Sequence, residues 1–76
     1  MLAEFIGKPT VLYDKAHEPY DLMPGSICNL EIMSYVPHKG DMWAWAAIET
    51  QDGHVLACPY SSLDGIYRNW RRVAAG

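Results

Sequence analysis

The chain is poor in the features that most chemistry is built on. Its two cysteines, Cys28 and Cys58, stand 30 positions apart with no Cys-x-x-Cys spacing. That leaves no paired zinc site and no redox dithiol in the sequence. Each falls on an apolar strand pattern, so both are expected as buried thiols rather than as a disulfide. The three histidines, His17, His38 and His54, lie in separate turns, and none has a partner nearby in sequence. No glycine-rich loop opens a helix, which removes phosphate cradles from consideration. No run approaches the roughly 20 apolar residues that a spanning helix needs. Met1 to Gly7 is too short and too acidic for a secretory signal. We therefore expect a soluble cytoplasmic protein, complete from Met1, with no cofactor, no metal and no membrane contact.

Cationic residues are also scarce. Six Lys and Arg face nine Asp and Glu, for a net charge of −3. Such a balance does not attract phosphate backbones over long range. The distribution is uneven, however. Residues 1–38 carry Glu4, Asp14, Glu18, Asp21 and Glu31 against Lys8 and Lys15. The second half holds a basic edge, Arg68, Arg71 and Arg72, that could contact a phosphate or carboxylate locally. A solvated C-terminal edge is the plainer reading of the same three residues.

What is present is a compact set of apolar signals. Hydrophobic residues make up 50% of the 76 positions and charged residues 20%, enough for one core and too little charge for disorder. One domain is expected over residues 1–76. Residues 1–9 read as a loose start. Thr10 to Tyr13 is β-prone and reads as the first strand. Asp14 to Gly25, with two prolines and three acids, reads as a long acidic surface loop closed by the Pro24-Gly25 turn. Ser26 to Val36 alternates cleanly. Cys28, Leu30 and Ile32 lie on one face, and Asn29, Glu31, Met33 and Tyr35 on the other. Residues 37–41 form a turn. Met42 to Thr50 is apolar on both faces, with Trp43, Trp45 and Ala47 opposite Ala44, Ala46 and Ile48. Gln51-Asp52-Gly53-His54 supplies a hairpin, His54 to Cys58 returns, and Pro59 ends that strand.

Ser61 can then cap a short helix or 3₁₀ turn, with Asp64 three residues on and Leu63, Ile66, Tyr67 and Trp70 at helical spacing. Arg71 to Val73 adds a last strand. The expected fold is mainly β: a small, five-stranded, partly open barrel with a short helix before the last strand.

Catalysis finds no support in these residues. Ser61 and Ser62 lack a glycine elbow. His54 and Cys58, at i and i+4 of a strand, share a face but sit about 13 Å apart. The aromatics remain: Trp43, Trp45, Trp70 and tyrosines 13, 20, 35, 60 and 67. They can simply build the core. Alternatively Tyr13, Tyr60 and one tryptophan stay partly exposed beside Glu18 and Asp21, and select a partner that carries Arg or Lys next to an apolar anchor.

The order of these signals resembles the SH3-like fold, with scattered residue-level likeness to SH3 domains between Thr10 and Ser62. Val11-Leu12-Tyr13-Asp14 is similar to the Ala-Leu-Tyr-Asp opening of that family. Met23-Pro24-Gly25-Ser26-Ile27 stands at the turn into its second strand. Gly40-Asp41-Met42-Trp43-Ala44 stands where that family has Gly-Asp-Trp-Trp and a small residue, and Leu56-Ala57-Cys58-Pro59 where it has an Ile-Pro step into a 3₁₀ turn. The resemblance implies a groove of aromatics for polyproline peptides. Tyr13 and Pro59 keep their places in that row, whereas Lys15, Met42 and Ser62 replace its other rings. The helix and Trp70 are closer to small freestanding prokaryotic or phage SH3-like proteins. One plasmid-borne class of dihydrofolate reductase uses such a barrel, but its Val-Gln-Ile-Tyr motif is absent here.

The expected function is a non-catalytic module that binds a protein or peptide through Tyr13, Glu18, Tyr20, Asp21, Trp43, Pro59 and Tyr60. A homodimer through an apolar strand face or edge is the next expectation. A nucleic-acid-associated or inhibitory phage or mobile-element protein, using Arg68, Arg71 and Arg72, follows it.

Overall fold

The computed structural model describes residues 1–74, with side chains described outside residues 34–38. The chain is mainly β, and its short helix precedes the last strand. Seven strands form among the described residues: β1 (Leu2–Phe5), β2 (Thr10–Tyr13), β3 (Pro19–Leu22), β4 (Ile27–His38), β5 (Asp41–Glu49), β6 (Val55–Tyr60) and β7 (Trp70–Arg72). Helix α1 spans Leu63–Asn69. Five strands pair antiparallel in the order β6-β5-β4-β1-β7, and β2 and β3 form a separate two-stranded sheet. The larger sheet ends at β6 and β7 and does not close on itself.

Two of the seven strands correct the sequence reading. Residues 1–9 are not a loose start: Ala3 and Phe5 are buried, and β1 pairs with both β4 and β7. The segment from Asp14 to Gly25 is not one long loop either. Pro19–Leu22 pairs with β2, with Tyr13 opposite Pro19 and Thr10 opposite Leu22. Proline begins that strand, where its missing N–H does least harm.

The turn into β3 is built by Asp14. Its Oδ1 accepts the backbone N–H groups of Ala16 and Glu18 at 2.8 and 2.9 Å. The true break follows at Met23–Ser26, where Ser26 N–H closes a turn onto the Met23 carbonyl across Pro24 and Gly25.

The alternation of β4 is as expected. Cys28 and Leu30 are buried, while Asn29, Glu31 and Met33 are exposed. A bulge between Met33 and Val36 shifts the register against β5, which bends the long hairpin. The hairpin reverses over two residues, Lys39 and Gly40, both at positive φ, as the right-handed twist of paired strands favours.

In β5 two of the three alanines face the core. Ala44, Ala46 and Ile48 are buried, and the tryptophans point the other way. β6 runs through Pro59 to Tyr60 and does not stop at the proline. Thr50 and His54 form a hydrogen-bonded pair. By alternation, Pro59 and Trp45 form a pair without mutual hydrogen bonds. Pro59 therefore turns its nitrogen toward the open edge and breaks no ladder bond.

Ser62, not Ser61, caps the helix: its Oγ accepts the Gly65 N–H. The core joins both sheets and the helix. Leu22, Leu30, Ile48, Leu56, Ile66 and Trp70 are buried together, with Leu12 and Tyr20 packed against them. The Phe5 and Trp70 rings meet at 5.2 Å.

Candidate functional site

The expected binding residues divide into three groups, which the fold places apart. Tyr20 and Tyr60 have structural contacts. Tyr60 lies on the core side of β6, and its hydroxyl accepts the Trp70 indole N–H at 3.1 Å. Its ring presses on α1 at Gly65, where a Cβ would come within 3.3 Å of it. Burial pushes the Tyr60 hydroxyl pKa well above the ordinary phenol range. Tyr20 packs its ring on His54 at 5.0 Å and turns its hydroxyl toward Asp52 at 3.5 Å. Burial, then the Asp52 charge, pushes the Tyr20 phenol up as well.

Tyr13, Glu18 and Asp21 form the second group. They stand exposed on the β2–β3 hairpin. Its inner face, Leu12, Tyr20 and Leu22, packs on the core, which leaves Val11, Tyr13 and Asp21 facing outward.

Trp43 and Pro59 form the third group, on the outer face of the five-stranded sheet. They have company that the sequence reading did not assign to a site. The cross-strand register places Met33, Trp45 and Pro59 in one row, and Glu31, Ala47 and Ala57 in the next. Asn29, Glu49 and Val55 make a third row. Met33 is 40% exposed and Val55 51%, and Trp43, Trp45 and Pro59 are half-buried. The period-two pattern of β5 contained this face. What it could not say was which side the core would choose.

A polar cluster joins the two hairpins at their turns. His54 lies between two carboxylates, its Nδ1 3.5 Å from Asp14 Oδ2 and its Nε2 3.7 Å from Asp52 Oδ2. The buried Thr50 hydroxyl donates to Asp52 at 2.5 Å and accepts the His54 backbone N–H at 2.9 Å. Sequence reasoning left His54 without a partner: it passed over Asp52, two positions away, and Asp14 is remote in the chain and meets His54 only once the β2–β3 hairpin docks. Backbone donation from Glu18, and less from Ala16, holds the Asp14 carboxyl below its usual range. The Thr50 hydroxyl does the same for Asp52. The two carboxylates address opposite nitrogens of one ring, so the cluster is a latch and does not converge on a ligand. Among the described residues no group of three or more His, Cys, Asp and Glu is placed to hold a metal ion.

The arginine edge is partly committed. Arg71 pairs with Glu4 across β7 and β1. Arg68 sits in the last turn of α1, where its charge suits the helix dipole. Arg72 is exposed. Cys28 and Cys58 are free thiols, the first buried and the second half-buried, and burial raises the pKa of both. That disfavours the thiolate a nucleophile needs. No described helix is long and apolar enough to cross a membrane. Comparison with protein-family models, with curated proteins and with solved structures gives no match to this chain.

Proposed function

We propose that the chain is a non-catalytic protein-interaction module of SH3-like plan, acting in the cytoplasm, and that it binds through the outer face of β4, β5 and β6. The element order supports the SH3-like reading: a short hairpin ahead of the long β4, a β5–β6 return, and a helical turn before the last strand. One observation carries the functional reading. β5 buries Ala44 and Ala46 and leaves Trp43 and Trp45 on the side away from the core, beside the exposed Met33, Ala57 and Val55. Large rings turned outward, with small residues inward, run against the usual placement of apolar bulk. A contiguous apolar face on a small domain marks an interaction surface. Tryptophan and methionine are also enriched where interfaces bury most area.

The test is selection from a displayed peptide library, followed by mapping of bound peptides on the labelled protein by NMR. Bound peptides are expected to shift resonances of Met33, Trp43, Trp45 and Ala57. Ala57→Arg places a charge at the exposed β6 end of the row that Glu31, Ala47 and Ala57 form, and should abolish binding while the protein stays folded. Tyr67→Ala changes an exposed ring on the helix and should leave binding unchanged. Shifts confined to Tyr13, Glu18 and Asp21 would move the site to the β2–β3 hairpin and overturn the proposal.

A further inference from the structure

The outer face has a polarity along its length, and that polarity specifies an occupant. Along β5 the outward residues read Trp43, Trp45, Ala47, Glu49. At two residues per step this line covers about 20 Å. It begins in indole and ends in carboxylate. Glu31, opposite Ala47, adds a second exposed carboxylate at the same end, diagonal to Glu49. Among the described residues, neither glutamate has an ion-pair partner. The Met1 ammonium lies at this end too, in a shallow depression it shares with Glu31, Ala47 and Glu49, but it donates to Asn29 Oδ1 and to the Leu30 carbonyl. A second copy laid on this face with its β5 running the same way would set glutamates against glutamates, and with β5 reversed would set them against indoles; neither arrangement gives the carboxylates a cation.

We infer that the face takes an extended segment of another protein with apolar side chains at one end and Arg or Lys two to four positions further on, lying along β5. Side chains of an extended segment alternate, so apolar residues at positions 2 and 4 meet Trp43 and Trp45, and basic residues at positions 6 and 8 meet Glu31 and Glu49. This rests on the reading of the outer face as the binding surface and adds the chemistry of the partner and its direction.

The experiment uses two blocked ten-residue peptides with leucine at positions 2 and 4. One carries arginine at 6 and 8, the other glutamate. Binding to the full chain is followed by NMR titration. The arginine peptide is expected to bind about tenfold more tightly than its glutamate twin, a preference that shrinks in high salt. Glu31→Lys combined with Glu49→Lys should reverse the preference. Equal binding of the two peptides, or a preference that survives the double substitution, overturns the inference while the outer face stands as the site. Outer-face resonances that move with neither peptide overturn both readings.

Discussion

The β2–β3 and β5–β6 hairpins turn in the same way and are held in different ways. In each turn the first residue's N–H bonds the carbonyl four residues on: Asp14 to Glu18, Thr50 to His54. In each, the fourth residue's N–H returns to the first carbonyl: His17 to Asp14, Gly53 to Thr50. In each, a side-chain oxygen of the first residue accepts the fifth residue's N–H: Asp14 Oδ1 from Glu18, Thr50 Oγ1 from His54. The fourth residue has positive φ in both, +60° for His17 and +91° for Gly53. The local geometry is shared, so it cannot explain the difference in attachment. The β5–β6 hairpin is part of a five-stranded ladder, whereas β2–β3 pairs only with itself. Two strands alone are marginal in water. The β2–β3 hairpin therefore depends on its inward side chains and on the latch at His54.

The largest effect should come from removing that inward anchor. Leu22 is fully buried at the end of β3. Leu22→Ala is expected to cost roughly 3 kcal/mol in a denaturant melt, the middle of the range for buried leucine. A loss below about 1 kcal/mol would mean the hairpin is docked by its turn and not by its core contacts. Next comes Thr50→Val, which keeps the shape and removes the hydroxyl. The His54 N–H then loses its acceptor beside a buried residue, at about 2 kcal/mol. A Thr50→Ser variant keeps the hydroxyl and should recover most of that loss.

The paired substitution at the positive-φ position tests whether the turns are equivalent. Gly53→Ala should destabilise by about 1 kcal/mol, because a β-carbon is disfavoured in the left-handed region. His17→Gly should stabilise by less, on the order of a few tenths of a kcal/mol: the strain relieved at positive φ minus the extra entropy of an unfolded glycine. If both substitutions destabilise, the His17 side chain has a role in the β2–β3 turn that Gly53 does not mirror. Thermal melts of the two single variants decide it.

These contrasts explain what could be read from the chain. The β4 alternation, the Asp52-Gly53 turn and the helix before the last strand were legible, because each is a local pattern with a local cause. β1 was not, since a strand of four residues shows no period, and Ala3 and Phe5 matter only through β4 and β7. β3 was hidden by Pro19 and by the acids around it; its pairing is set by Asp14, whose two backbone acceptor contacts look in sequence like ordinary loop polarity. The binding candidates followed the same division. Trp43, named from the β5 alternation, and Pro59, named through the SH3 resemblance, lie together on the outer face. The contacts that take Tyr20 to His54 and Tyr60 to Trp70 required the docked structure. Rings in the sequence were therefore a guide to where apolar area lies and a poor guide to which of it faces out.

The smallest expected effect distinguishes the two carboxylates of the latch. Both have folded pKa values below the ordinary 3.8. A lowered folded value means that the charged form favours the native state. The stabilisation is therefore complete above the unfolded value and is lost as pH falls through the folded ones, below about pH 4. Asp14 gains its shift chiefly from the Glu18 and Ala16 N–H groups that shape its own turn, and Asp52 chiefly from the Thr50 hydroxyl. Asn retains a carbonyl acceptor but not the charge, so Asp14→Asn and Asp52→Asn should each flatten the acid limb of stability followed by tryptophan fluorescence. Asp14→Asn should flatten it more, since the charged acceptor strengthens two short backbone bonds there, against one short hydroxyl bond from Thr50 and one long one from Tyr20 at Asp52. Equal slopes in the two variants would place the acid sensitivity in the shared contact with His54 and not in the turn that Asp14 builds.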